Sequence, residues 1–414
     1  MIFLSNTIIT SPERPEISHG ALVINNGKII AVGLASEIIK QYRSHKTFDL
    51  GHSIILPGLV NIHTHLELPK MNLKGNRTGY ASWVLALLRS KRGIKTEQYR
   101  IAAEENIQTL IKTGTTTVAD ICSQGMSPQV LRKSGMRSVI FFEQISMKPG
   151  AKLDLAGLPL EKSFCTGLSR CGISPHTPHT VSEQALKSLH YFARRNKLPL
   201  SMHVAETKDE LLLLQRKPGG LDRLYAAAGW SRSWAPRAGS SFRYLRRLGV
   251  LDGQFLAVHS VQVDRRDLRI IKNSGVGIAH CPRSNDALDV GVMPLKTMLD
   301  LGIPVGIGTD SLASVPTLSL WDEMRFALRE HKKSGVTAQD ILNMATLGGA
   351  KALGMEDRIG SLKPGKLADF IAVPLPKRNT GDLYSDLLRE TKSCIMTVVN
   401  GKIVYRHPSL SRHS

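Results

Sequence analysis

Histidines two apart at the end of an apolar run can do metal chemistry, and His63-Thr64-His65 closes the run Pro57-Gly58-Leu59-Val60-Asn61-Ile62. In a strand, residues two apart face the same side, so both imidazoles can converge on one ion. Imidazole nitrogen suits zinc, iron, nickel and copper. Two histidines do not complete a site. Further candidates end other apolar runs: His203 in Ser201-Met202-His203-Val204-Ala205-Glu206, His259, His280, and Asp310 in Gly306-Ile307-Gly308-Thr309-Asp310. Three imidazoles and one carboxylate make a metal site that still has room for water.

The elements that must position these groups follow from the pattern around them. Strands are expected at residues 54–62, 115–119, 138–142, 171–174, 198–204, 255–258, 276–279 and 304–308, with helical stretches such as 98–112, 183–195, 265–273 and 295–301 between most of them. Thr180 and Glu183 fit a capping box for the second of those helices. The alternation predicts an α/β protein built on a parallel (β/α)8, TIM-like barrel, whose sites gather at the C-terminal strand ends. Helices at 320–332 and 338–353 would close it.

The two ends read differently. Residues 21–32 hold two strand-like runs around Asn26-Gly27, and 395–405 repeat the style around Asn400-Gly401. The expected organisation is a small composite β-sandwich from residues 1–56 and 358–414 outside a barrel of residues 57–357. Residues 207–254 are long for a βα loop and carry Trp230, Trp234 and many arginines. They read equally well as a lid over the barrel mouth and as an external or dimer-facing insertion.

Composition narrows the class. The 414 residues are 42% apolar and 21% charged, which is globular rather than disordered. Five cysteines, Cys122, Cys165, Cys171, Cys281 and Cys394, form no C-x-x-C pair, which argues against a disulfide framework and for a reducing compartment. The first residues read as a strand rather than a signal peptide, and no apolar run is long enough for a membrane span. A cytoplasmic protein without a membrane or nucleic-acid partner is expected. The net charge of +21 is densest at residues 216–247, but no nucleic-acid motif accompanies it.

Together, His63-Thr64-His65, His203, His259, Asp310 and the run Ile359-Gly360-Ser361-Leu362-Lys363-Pro364-Gly365-Lys366-Leu367-Ala368-Asp369 resemble the amidohydrolase superfamily over essentially the whole chain. The resemblance implies that His63, His65, His203 and Asp310 hold the metal. Binuclear members carry a bridging lysine at the end of strand four; here that strand runs into Ile173-Ser174-Pro175-His176-Thr177-Pro178-His179-Thr180, without lysine. One divalent ion per subunit is therefore expected, zinc first and iron second. The same run is similar to the Pro-His-x-Pro-Tyr-Thr segment of the nucleoside deaminase branch, in which the first histidine lines the substrate pocket, and His179 stands in place of the tyrosine.

His203-Val204-Ala205-Glu206 is similar to the pattern of aminohydrolases acting on aromatic amidine-like rings. The implied catalytic residues are Glu206, shuttling a proton to a ring nitrogen, His259, orienting water, and Asp310, accepting its proton. The implied substrate-binding residues are His176, Glu67, Trp83, Arg283 and Ser314, with an arginine holding any anionic tail. The runs His280-Cys281-Pro282-Arg283-Ser284-Asn285 and Thr309-Asp310-Ser311-Leu312-Ala313-Ser314 look most like aminofutalosine deaminases. Those enzymes remove the 6-amino group of an adenine nucleoside with a carboxyaryl ketone tail on the futalosine route to menaquinone. The alternatives are S-adenosylhomocysteine/methylthioadenosine deaminases, triazine chlorohydrolases and, remotely, a non-catalytic binding barrel. A nucleoside-like small molecule is the expected partner, and a homodimer the expected assembly.

Overall fold

The computed structural model describes residues 1–71, 73, 79–151, 153, 155, 158, 167–377, 381–408 and 410. Eight parallel strands form the barrel: β6 (Leu59–Thr64), β7 (Thr115–Cys122), β8 (Arg137–Gln144), β9 (Ser169–Pro175), β10 (Leu200–Val204), β11 (Phe255–His259), β12 (Gly277–His280) and β13 (Val305–Ile307). Each pairs with the next in sequence order. The seam between last and first is closed by a bridge between Thr64 and Asp310, where the Thr309 and Asp310 amides both donate to the His63 carbonyl, at 2.9 and 3.1 Å. Two expected metal ligands thus sit on the closure itself. Gly308 permits that approach, since a Cβ there would stand 2.7 Å from the His63 Cβ.

The terminal segments build a separate, mostly antiparallel sheet. Its strands are β1 (Ile2–Ile8), β2 (Ile17–Asn25), β3 (Lys28–Leu34), β4 (Thr47–Asp49), β5 (Ser53–Pro57), β14 (Phe370–Pro374), β15 (Met396–Val399) and β16 (Lys402–Arg406). β14 returns from the barrel to pair antiparallel with β5, joining the two chain ends. Residues of β2 alternate as the pleat requires: Leu22 and Ile24 belong to one buried cluster with Phe3 and Phe370, Ala21 and Val23 to another with Ile2 and Ile38.

One expected strand proves to be two. Residues 54–62 divide at Pro57-Gly58, with β5 in the terminal sheet and β6 in the barrel. Gly58 lies so close to Thr116 that a Cβ would meet its hydroxyl at 2.1 Å. Periodicity cannot see this change of sheet, because both halves are wholly buried. The capping expectation also shifts by two residues. Ser182, not Thr180, caps the helix Glu183–Arg195, its hydroxyl accepting from the Ala185 amide. Cys122, Cys281 and Cys394 are free and buried, whereas Cys171 is disulfide-bonded, one bond where the sequence argues against a disulfide framework; Cys165 lies outside the described residues. No described helix is long and apolar enough to cross a membrane.

Candidate active site

Four groups converge above the barrel seam. His63 Nε2 and His65 Nε2 lie 3.8 and 3.6 Å from Asp310 Oδ1. The His203 ring, from β10, stands 5.0 Å from that of His63 and stacks on His65 at 5.5 Å. His203 Nδ1 is 3.0 Å from the His176 carbonyl, so its N–H donates there and Nε2 is left as an acceptor. The Asp310 carboxylate is oriented by the hydroxyls of Ser284 and Ser314, which donate to Oδ2.

The backbone is strained where it delivers these side chains. Ala205, His259, Ser260 and Asp310 have φ of 54°, 70°, 50° and 57°, a region that non-glycine residues rarely occupy. Such conformations cost of order 1–3 kcal/mol each and persist where the surroundings over-determine them. All four lie where a barrel strand turns into its loop.

Electrostatics keep the rings neutral. Burial drives His65 down to about 3, against the pull of Asp310, and drives His63 well below its ordinary value, helped by His203 and His65. Burial lowers His203 and His259 as well. Burial would raise Asp310, but His65, His259, the Ser284 hydroxyl and His203 outweigh it, and the carboxyl is held below its ordinary value. Three neutral imidazoles and a carboxylate are the protonation states a cation needs. His63 supplies the fit test: it is fully buried, and neither ring nitrogen has a hydrogen-bond partner. A divalent ion at its Nε2 accounts for that orphaned atom, and an N₃O donor set suits zinc or iron.

Beside this floor lies Glu206, whose Oε1 is 3.6 Å from His259 Nε2. Burial pushes its carboxyl up to about 7 against His203, with Asp310 adding to the rise and a hydrogen bond from Tyr80 opposing it. His259 Nδ1 meets Asn285 Oδ1 at 2.9 Å; with the ring proton there, Nε2 faces Glu206 as an acceptor.

The cavity above the floor holds about 160 Å³. One wall is the helix Tyr80–Lys91, which contributes Tyr80, Trp83, Val84, Leu87, Leu88 and Lys91. Their spacing of three and four is a single helical stripe. His176, His179, Glu143 and Leu224 line other parts of it. His176 is fixed by Thr180, whose hydroxyl lies 2.9 Å from its Nδ1, which is why Thr180 does not cap the next helix.

A family model described as the amidohydrolase family matches residues 54–404. This chain belongs to the amidohydrolase family. It is 29% identical to a 5-methylthioadenosine/S-adenosylhomocysteine deaminase of Syntrophobacter fumaroxidans, over 98% of this chain and 92% of the relative. It is also 29% identical to a 5'-deoxyadenosine deaminase of Methanosarcina acetivorans, over 97% and 92%. Among solved structures, aminofutalosine deaminase of Helicobacter pylori shares the fold with a TM-score of 0.85 and 22% identity, over 98% of this chain and 100% of that one. An adenosine deaminase of Xanthomonas campestris, solved with bound zinc, gives 0.83 and 23%, over 100% and 94%.

In this amidohydrolase His63, His65, His203, His259, Glu206, Asp310, His176 and Trp83 are brought together as the sequence leads one to expect. Three expected substrate-binding residues are placed elsewhere. Glu67 does not line the cavity; its buried carboxylate accepts from the amides of Ser123, Gln124, Met126 and Ser127 at 3.0, 2.6, 2.6 and 2.9 Å, which fixes the loop after β7. Arg283 is committed to Glu323, Asp322 and Thr317. Ser314 acts on Asp310 and Ser284 rather than on the cavity. His280 also stands outside, against His331. Sequence reasoning missed Tyr80, Lys91 and Glu143. The first two belong to a readable stripe, since positions 80, 83, 84, 87, 88 and 91 share a helix face.

Residues 207–254 fold into the helices Lys208–Leu214, Leu221–Ala227 and Ser241–Leu248 with a short 3₁₀ turn, Arg232–Trp234. Leu213, Leu221, Leu224 and Tyr225 pack with Ala81, and the Tyr225 hydroxyl donates to the His179 carbonyl at 2.6 Å. The segment backs the cavity wall, which favours a pocket element over an external insertion. Several of its arginines are already engaged: Arg232 with Asp222, Arg243 with Asp264 and Asp267, Arg216 and Arg247 with backbone carbonyls.

Proposed function

We propose that this amidohydrolase hydrolyses the 6-amino group from an adenine nucleoside altered at its 5′ position, using one divalent ion held by His63, His65, His203 and Asp310. The observation that carries the reading is Glu206: a buried carboxyl raised to about 7, 3.6 Å from His259 and in one cavity with His65, His203 and Asp310. A group poised near neutrality can take up and give back a proton at each stage. When bound, the ion supplies Lewis acidity and lowers the pKa of a water toward neutrality.

The chain's own residues do the rest. Glu206 gives its proton to the ring nitrogen beside C6, making that carbon electrophilic, and regains one from the added hydroxyl as the carbonyl forms. Asp310, held by Ser284 and Ser314, receives the proton that water loses and passes it to the departing amine, which leaves as ammonia. His259, fixed through Asn285, hydrogen-bonds the attacking oxygen. Trp83, Leu87 and Leu88 give the purine an apolar wall and keep competing water out.

The nucleoside's tail is assigned by charge. Among the described residues lining the cavity Lys91 is the cation, whereas Arg283, the residue expected to hold an anion, is engaged elsewhere. A carboxylate-bearing 5′ tail fits Lys91. Aminodeoxyfutalosine, to which the sequence motifs point, and S-adenosylhomocysteine, named by a relative, both carry one. The test is ammonia release by metal-replete protein from aminodeoxyfutalosine, S-adenosylhomocysteine, methylthioadenosine and 5′-deoxyadenosine. The expected ranking puts the two carboxylates first in kcat/KM. No ammonia from any of the four would overturn the reading in favour of another C–N or C–halide hydrolase.

A further inference from the structure

Three ligand atoms outside the cavity converge on a point. His280 ends β12, and Glu330 and His331 end the helix Leu320–His331. His280 Nε2 and His331 Nε2 are 3.1 Å apart, Glu330 Oε2 is 3.0 Å from His331 Nε2, and it is 3.8 Å from His280 Nε2. The side chains of His280 and His331 are 0% and 4% exposed, while Glu330, at 12%, reaches the surface.

From these separations we infer that the cluster is a second zinc site, distinct from the one at the barrel mouth. A triangle with those sides has a point about 2 Å from all three corners, the Zn–N and Zn–O bond length for histidine and carboxylate ligands. Two imidazoles and a glutamate are a zinc-type donor set, to which a water can add the fourth ligand.

Without a cation the same atoms are poorly satisfied. A single proton on His331 Nε2 can serve either His280 Nε2 or Glu330 Oε2. The other acceptor then stays unpaired in a buried place, without the water it would have when unfolded. Glu330 Oε2 is in fact buried with no hydrogen bond of acceptable geometry, and His280 Nδ1 is buried and unpartnered too. Placing the proton on His280 Nε2 instead sets the His331 lone pair against the Glu330 oxygen. A divalent ion satisfies all three converging atoms at once. Because Glu330 and His331 belong to the helix after β13, such an ion would tie that helix to β12 rather than act on substrate.

The test is zinc stoichiometry after reconstitution of the full chain and removal of loose metal. Two zinc ions per chain are expected in the parent, and one in both Glu330→Gln and His331→Ala, with ammonia release unchanged from the parent. His203→Ala is expected to keep one zinc while losing turnover, which separates this site from the catalytic one. Glu330→Gln alters a side chain that reaches the surface and so guards against a folding failure of His331→Ala. Zinc should also raise the thermal midpoint of His203→Ala but not that of His203→Ala/Glu330→Gln. One zinc per parent chain, undiminished in Glu330→Gln, would overturn the proposal and leave the cluster a proton-sharing contact.

Discussion

The floor of the active site and its outer wall are built by different means. The floor groups come from barrel strands that are hydrogen-bonded to their neighbours, with strained backbone at Ala205, His259 and Asp310 held by that frame. The wall comes from the helix Tyr80–Lys91 and the segment packed behind it, where contacts are apolar and the helix N-cap lacks a side-chain hydrogen bond. On the proposed reading, chemistry sits on strand ends and substrate choice on the helix and segment that wall the cavity. The same division separates what a change of residue should do: floor changes abolish or destabilise, wall changes re-rank substrates.

The largest effect should come from the floor. His203→Ala removes one of the four proposed ligands, and both retention of the catalytic ion and turnover should fall to background, measured by elemental analysis and ammonia release. If turnover survived without the ion, the floor would not be a metal site at all.

Next is a stability effect beneath the floor. Asp120 Oδ1 accepts from the Leu66 amide at 2.9 Å, bracing the turn after His65, while Oδ2 is buried without a partner. Burial and then Glu67 push the carboxyl from 3.8 up to about 7. The folded protein thus holds a proton that the unfolded chain has already lost. This contribution is fully present below the unfolded pKa, shrinks as pH rises, and is gone above about 7. Asp120→Asn keeps the acceptor and removes the titration. Its stability relative to the parent should increase between pH 4 and 8, by up to about 4 kcal/mol, in denaturant melts. A difference independent of pH would contradict the assignment.

The smallest effect belongs to the wall. Lys91→Met should raise KM about tenfold for the carboxylate-tailed nucleosides, the size of one partly solvated charge contact. It should leave kcat on 5′-deoxyadenosine within about twofold. An equal loss on every substrate would place Lys91 in the floor rather than the wall and erase the distinction.

The contrast also explains what could be read from sequence. Strand-end histidines are legible because alternation and strand termination fix their direction within a few residues: His63, His65, His203 and His259 fall where the pattern puts them. Glu67, Arg283 and Ser314 stand apart from the cavity lining for a common reason. Each stands beside a motif residue, but proximity in sequence does not reveal which neighbouring amide, carboxylate or hydroxyl claims the side chain. Glu67 is taken by four amides of the next loop, and Arg283 by Glu323 from a helix 40 residues away. The wall stripe from Tyr80 to Lys91 has a clear helical period, but it does not stand out because the helix also packs apolar residues against Leu221 and Tyr225. The division at Pro57-Gly58 was hidden because both flanking strands are buried on every residue.

The central claim is that Glu206 moves the proton while the ion is held by others. Glu206→Gln tests both halves in one preparation, by metal content and steady-state ammonia release on the best nucleoside. The account predicts full metal occupancy at the catalytic site with turnover lowered by roughly 10²–10⁴-fold. Parent-like turnover in that variant would contradict it.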